Sequence, residues 1–320
     1  MKMKERMEKM KIDFQQIYSQ ISIQEPGTQK RLDIASCLGV FVGFNHSGNL
    51  RLSFLSTIPS PKLESTKLLR VLQSVEKKSS FWISFELLDA NANDEFFTFC
   101  ENMIEAVVDV QDEKQALNKL KRRYFTWRSL FQKNSEKHLP QELLQGLYGE
   151  LYYLSTKLIP AYGAKTAVSS WGGPDLQSKD FTIGNTWFEL KTIGSTVDRV
   201  HISSITQLDS DNEGHLVVIR VEAVSPEYED NNCKITKLIT DILNEIDDDE
   251  TENSFVAKLN NLGVNMFECK NYKGFRLLSM DTYLVDNSFP RICRKDLLHE
   301  EIIGVQYDLS LASIHPFKEV

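Results

Sequence analysis

The sequence lacks the motifs that mark several common enzyme classes. It contains no Gly-x-x-x-x-Gly-Lys-Ser/Thr phosphate-binding loop, no Gly-x-Gly-x-x-Gly dinucleotide fingerprint and no Gly-x-Ser-x-Gly nucleophile elbow. Its six histidines offer no metal-ligand spacing, and the segment His299-Glu300-Glu301 lacks the second histidine of a zincin. ATP hydrolysis, nicotinamide binding and serine hydrolysis therefore have no support, and any DNA translocation would need a separate ATPase subunit.

Paired cysteines and long apolar runs are also absent. The five cysteines are widely spaced, odd in number and without a Cys-x-x-Cys pair, which argues against a disulfide framework or zinc ribbon. No stretch of 18 apolar residues occurs, and the charged first residues lack the apolar core of a signal peptide. We therefore expect a protein of the reducing cytoplasm without a membrane partner.

A change in the pattern of apolar residues along the chain predicts two domains. The chain has 320 residues, of which 41% are hydrophobic, enough to form the cores of both. Residues 32–99 contain β-prone runs separated by turn residues, whereas residues 103–132 show apolar side chains at helical spacing. We predict a β-rich N-terminal domain over residues 1–115 and an α/β domain over residues 116–320. Further local expectations are helices at 1–24 and 63–75, a strand at 95–99, a central strand at 215–222 and a solvated acidic linker at 247–252.

A basic helix opens the second predicted domain. Although the net charge of the chain is −8, eight basic residues and one acidic residue lie between Lys114 and Lys137. The helix could track the phosphate backbone of a nucleic acid through Lys121, Arg122, Arg123 and Arg128. A solvated helix face is the simpler interpretation, because runs of charge usually reflect solvation alone.

The most informative stretch is a predicted β-hairpin. Two β-prone runs flank Gly184-Asn185, a pair that suits the positive φ angles of a tight primed turn. If Ile183 faces Thr186 across this turn, then Asp180 faces Glu189, and opposed residues have Cβ atoms roughly 5 Å apart. Alternation gives a core face with Phe181, Ile183, Phe188 and Leu190, and a polar face with Asp180, Thr182, Trp187, Glu189 and Lys191.

The polar face predicts a metal site. Asp180 and Glu189 together are costly beside a sheet unless a cation binds there or the charges pair with each other. Their oxygens suit Mg²⁺, with Mn²⁺ as a second candidate, and such an ion takes its other ligands from water and substrate phosphate. Lys191 could orient an attacking water or balance charge on the phosphate. The simpler alternative is a solvated hairpin in which Lys191 bridges Glu189.

The ordered set of motifs resembles the PD-(D/E)XK nuclease superfamily, which has the restriction-endonuclease-like fold. Asp180 followed by Glu189-Leu190-Lys191 is similar to its active-site motif. Four segments together resemble a bacterial restriction-associated family encoded in phage-defence clusters, namely residues 146–151, 179–181, 188–192 and 202–208. The resemblance implies an α/β mixed sheet flanked by helices and Mg²⁺-dependent hydrolysis of DNA. It also implies a role in restriction or anti-phage defence, with an ATPase or other defence proteins as partners and self-association as a further expectation.

A predicted helix at 141–158 carries a candidate third acid. In the resembling family a helix glutamate points at the metal site, which implies this role for Glu150; a surface glutamate is the equal alternative. Gly146 and Gly149 lie in the same helix. Because glycine costs a helix about 1 kcal/mol relative to alanine, the two glycines predict close packing against the sheet.

Two positions leave their roles open. Gln207 follows a predicted cap at Ser203 or Ser204 and could contact substrate, orient the metal site or serve only in capping. Asp175 follows a Gly-Gly-Pro turn and, unlike Asp180, has no fixed position across the hairpin, so Asp180 is the preferred first acid. The intact acids and lysine favour an enzyme over a non-catalytic scaffold or nucleic-acid-binding subunit.

Overall fold

The computed structural model describes residues 14–21, 27–77, 79–132, 139–175, 177–228, 230, 233–264, 272–299 and 301–319. The chain forms two compact units, Met1–Lys133 and Asn134–Val320. The division falls after Lys133 and not after residue 115, so the basic helix that was expected to open the second domain lies in the first unit. Most of the helix expected at 1–24 lies outside the described residues. No helix in the described ranges is long and apolar enough to cross a membrane.

The N-terminal unit is built on a five-stranded antiparallel sheet with the strand order β1-β2-β3-β5-β4. The strands are β1 (Gln29–Arg31), β2 (Gly39–Phe44), β3 (Leu50–Ser56), β4 (Leu69–Lys77) and β5 (Ser80–Leu87). The helices described in this unit are α1 (Phe14–Gln20), α2 (Asn93–Glu105) and α3 (Glu113–Gln132). The β-rich character is confirmed.

Two local predictions in this unit are wrong. Of residues 63–75, 69–75 lie in strand β4 and the rest form no helix, and residues 95–99 lie in helix α2 instead of a strand. In α2, Phe96, Phe99 and Met103 are buried at helical spacing. Their burial depends on the sheet beneath them, since the Phe99 and Phe85 ring centroids lie 5.2 Å apart. Tertiary packing thus decided a choice that the short apolar run left ambiguous.

The C-terminal unit contains a four-stranded mixed sheet with the order β10-β9-β7-β6. Its strands are β6 (Phe181–Ile183), β7 (Thr186–Gly194), β9 (Gly214–Val224) and β10 (Gly274–Val285). Strands β7 and β9 are parallel, and the other two pairs are antiparallel. A separate antiparallel pair joins β8 (Arg199–Ile202) and β11 (Tyr307–Ser310). The expected central strand is therefore confirmed as β9.

Helices accompany this sheet. They are α4 (Gln141–Tyr153), α5 (Ile159–Tyr162), α6 (Ala164–Ser170), α7 (Ile235–Glu245), α8 (Asp249–Asn261) and α9 (Leu311–Ile314), with a π-helical turn, Leu154–Leu158, after α4. The acidic run is not a linker. The Asp248 side chain accepts a hydrogen bond from the Thr251 amide, and the run supplies the first turn of α8, where carboxylates favour the positive helix end.

Strand β7 is buried on both faces. On one face, Gly149 of α4 packs so closely that a Cβ atom there would overlap Thr192 Oγ1, which confirms the close packing predicted for this glycine. Gly146 meets open space, so the same prediction is wrong for it. On the other face, Trp187 belongs to an apolar cluster with residues of β8 and β9. The hairpin is therefore not solvated, and the mixed sheet flanked by helices is confirmed.

Candidate active site

The hairpin places the first two acids side by side. Ile183 pairs with Thr186 as predicted, and Gly184 adopts a φ of 58°, which lets the two strands reverse over two residues. Asp180 lies immediately before β6, and its Oδ2 atom accepts a 2.7 Å hydrogen bond from the Leu190 amide. This bond fixes the carboxylate beside Glu189, the next residue back along β7.

Lys191 connects the acids to a neighbouring turn. Its Nζ atom lies 2.9 Å from Glu189 Oε1 and donates a 3.0 Å hydrogen bond to Gln207 Oε1. The Glu189 side chain is 2% exposed and that of Lys191 is 16% exposed, so the pair is held largely away from water. Gln207 ends a short 3₁₀ turn, Ile205–Gln207, which the Ser204 side chain caps by accepting from the Thr206 amide. The capping prediction is confirmed for Ser204.

Glu150 reaches the same cluster from helix α4. Its Oε2 atom accepts a 2.6 Å hydrogen bond from Trp171 Nε1. Trp171 is held against the hairpin by a β-bridge to Phe181. A Cβ atom built on Gly173 would lie 2.9 Å from Glu150 Oε2 and 3.5 Å from Asp180 Oδ1, so these two carboxylates flank one glycine.

The three carboxylates lie in one region of the unit, where Glu189 is buried and Asp180 and Glu150 are half-buried. Burial, reinforced by the Asp180 charge, raises the pKa of Glu189 to about 8 against the opposing effect of Lys191. The same two causes raise the pKa of Glu150 to about 8. Burial also raises the pKa of Asp180, although the Leu190 hydrogen bond works in the other direction. The nearby lysines therefore do not fully compensate the negative charge of the cluster.

This donor set fits a divalent cation. The oxygens of Asp180 and Glu189 are hard ligands of the kind that Mg²⁺ prefers, and a cation would offset the charge that raises their pKa values. Among the described residues, no group of three or more His, Cys, Asp or Glu side chains is arranged to hold a metal ion. A bound ion would thus take most of its ligands from water and substrate, as Mg²⁺ commonly does.

Asp175 has a different environment. It lies in the 3₁₀ turn Gly173–Asp175, and its carboxylate forms an ion pair with Lys258 of helix α8. The Lys258 ammonium also donates to the main-chain oxygen of Trp171. Asp175 therefore anchors the glycine-containing loop, whereas Asp180 faces the other acids.

Sequence reasoning did not assign a role to Lys179. Its Nζ atom donates to the main-chain oxygens of Thr206 and Gln207 and lies 4.0 Å from the centroid of the Trp187 ring. Burial is the main cause that lowers the pKa of Lys179 to about 8. Alternation along a strand would put the side chains of Lys179 and Asp180 on opposite faces of the sheet. Residues 178–180 form a bend, so this rule does not apply to them. The contacts of Trp171 and Gly173 with the acids were not predicted for a similar reason, because residues in loops follow no repeating pattern in the sequence.

The basic helix α3 supplies fewer exposed cations than its sequence predicts. Arg123 is 5% exposed and donates to Asn102 Oδ1, which argues against its predicted contact with DNA. Arg128 forms a 2.8 Å ion pair with Glu64. Arg122 is half-buried, and Lys121 is exposed with its ammonium 5.8 Å from the Phe125 ring centroid.

The mixed sheet and its Asp-to-Glu-x-Lys hairpin define a PD-(D/E)XK nuclease-like protein. A family model described as "Putative PD-(D/E)XK family member, (DUF4420)" matches residues 14–312. Because the match spans most of the chain, the protein belongs to this family. No curated protein and no solved structure matches it.

Proposed function

We propose that this protein is a metal-dependent endonuclease that hydrolyses DNA phosphodiester bonds in a bacterial restriction or anti-phage defence system. The observation that carries the proposal is the convergence of Asp180, Glu189 and Lys191 on one partly buried site, in the order that the PD-(D/E)XK motif requires. Clusters of groups with strongly raised pKa values are more common at functional sites than elsewhere.

The residues have distinct roles in this proposal. Asp180 and Glu189 would hold Mg²⁺ or Mn²⁺, which when bound supplies Lewis-acid activation of a phosphate and of water. Lys191 is kept at the site by Glu189 and Gln207, from where its ammonium can orient water or stabilise charge on the phosphate. Glu150 adds a third carboxylate, and Trp171 fixes its direction.

The proposal is tested by incubating the purified chain with supercoiled DNA, linear DNA and RNA in the presence of Mg²⁺, Mn²⁺ or EDTA. Lys191→Ala is the test variant. Lys165→Ala is the matched control, because Lys165 is an exposed lysine of the same unit that pairs with Glu250. We expect metal-dependent DNA cleavage by the wild type and the control but not by Lys191→Ala. DNA binding without cleavage in any metal would instead support the non-catalytic binding subunit.

A further inference from the structure

Lys179 lies between the hairpin and the turn that carries Gln207. Its Nζ atom donates hydrogen bonds of 2.7 Å to the Thr206 main-chain oxygen and 2.6 Å to the Gln207 main-chain oxygen. A third carbonyl, that of Asp209, lies 3.4 Å away. An ammonium has three donors and no acceptor, so these contacts match its hydrogen-bonding capacity.

The surroundings hold the Lys179 side chain in this position. Its ammonium lies 4.0 Å from the centroid of the Trp187 ring, which is 3% exposed and whose Nε1 atom donates to the Asn212 main-chain oxygen. A cation over the face of a tryptophan ring is attracted by the ring quadrupole. Arg291, which lies in a different segment of the chain, donates a 2.6 Å hydrogen bond to the main-chain oxygen of Leu208, directly after the turn. Two cations therefore satisfy consecutive carbonyl groups at the end of this turn.

The 3₁₀ turn at 205–207 also contacts Lys191 through the Gln207 side chain. The Oε1 atom of Gln207 accepts hydrogen bonds from Lys191 Nζ at 3.0 Å and from the Ser203 amide at 2.9 Å. Both partners are donors, so the amide orientation of Gln207 is consistent with its surroundings. The Lys191 ammonium is thus shared between Gln207 and Glu189.

We propose that Lys179 is a positioning residue that fixes the turn at 205–207, so that Gln207 holds the Lys191 ammonium at the site. The catalytic consequence rests on the proposed nuclease function, whereas the positioning itself does not. Lys179 touches no reacting group in this inference and acts only through Gln207 and Lys191.

The first test measures the turn without substrate. Amide hydrogen exchange at Ser203 is compared in the wild type, Lys179→Met and the exposed-lysine control Lys165→Met. We expect faster exchange at Ser203 in Lys179→Met alone, because loss of the clamp frees the Gln207 side chain that accepts from this amide. Unchanged exchange would overturn the inference, whether or not the protein cleaves DNA. If Lys179→Met fails to fold, Lys179→Gln, which retains an amide donor, replaces it.

The second test uses cleavage kinetics with Lys179→Met, Gln207→Ala and the double variant. We expect a loss of kcat of up to about 10²-fold in Lys179→Met with little change in KM, because misplacement of a catalytic group acts on the chemical step. The double variant should lose no more than the more damaging single variant, since both changes act through one contact. Lys179→Arg should recover most of kcat, because a guanidinium also donates and stacks on tryptophan. Additive losses without recovery by Arg would indicate a merely structural role.

Discussion

The Leu190 amide donates a 2.7 Å hydrogen bond to Asp180 Oδ2. This contact ties an acid that precedes one strand to the backbone of the strand that carries the other two motif residues, Glu189 and Lys191. The hydrogen bond thereby fixes the position of the Asp180 carboxylate relative to the Glu-x-Lys segment of β7.

The choice between the two candidate first acids can be tested directly. Asp180→Asn should lower kcat by roughly two orders of magnitude, because it removes charge from the site while its amide oxygen can still accept from Leu190. Asp175→Asn should leave cleavage intact and cost about 1 kcal/mol of stability through its ion pair with Lys258. Cleavage rates and thermal unfolding of both variants are measured together. The opposite pattern would make Asp175 the first acid.

Stability without metal should depend on pH. Folding raises the pKa of Glu189 from 4.5 to about 8, so the folded state binds more protons than the unfolded chain within this window. The free energy of unfolding should therefore fall as pH rises through that range, and less steeply in Glu189→Gln. Mg²⁺ should stabilise most at and above pH 8, where the carboxylates are ionised. Thermal unfolding in EDTA and in Mg²⁺ across pH 5–9 checks this, and an unchanged slope in Glu189→Gln would contradict it.

Two glycines of helix α4 form a matched pair for a packing test. Gly149→Ala should destabilise the protein by about 1–3 kcal/mol, because the added methyl overlaps Thr192. Gly146→Ala should stabilise it by up to about 1 kcal/mol, since the methyl meets open space and alanine favours a helix. Chemical denaturation of both variants measures the difference. Equal effects would mean that the helix does not approach the sheet as closely as described.

Two basic residues of helix α3 form a second matched pair, one for DNA binding and one for stability. Lys121→Ala should leave the unfolding temperature unchanged and, under the proposed contact with DNA, reduce the salt slope of binding by about 1. Arg123→Met should instead lower stability by about 1–3 kcal/mol, because it leaves the buried Asn102 oxygen without this donor. Salt-dependent DNA titration and thermal unfolding distinguish the two. A reduced salt slope in Arg123→Met with unchanged stability would restore Arg123 as a DNA contact.

Local rules were sufficient for the centre of the site. The Gly184-Asn185 turn set the hairpin register, and a serine cap at Ser203 or Ser204 was recognisable, because each feature depends on a few neighbouring residues. The motif then identified which residues of the hairpin to consider. These features could be predicted because turn chemistry and alternation act over short distances.

Long-range packing decided what the sequence left open. A solvated hairpin was the simpler alternative for the polar side chains of β7, yet Trp187 of that face packs into an apolar cluster with Val200 and Ile202 of β8. The acidic run starts α8 because its carboxylates can cap a helix, and the apolar residues Phe255, Val256 and Leu259 of that helix are buried. Lys179 gained its contacts from a bend and a distant turn, neither of which has a repeating pattern.

Two of the four tryptophans report on the site through their own contacts. The Trp171 indole donates to Glu150, and the Trp187 ring lies under the Lys179 ammonium. Indole fluorescence is sensitive to nearby charge, so ionisation or metal loading of the acids and release of the lysine clamp would each change the emission of a different tryptophan. The protein thus carries two native optical probes, and single Trp→Phe variants would separate their signals without an added dye.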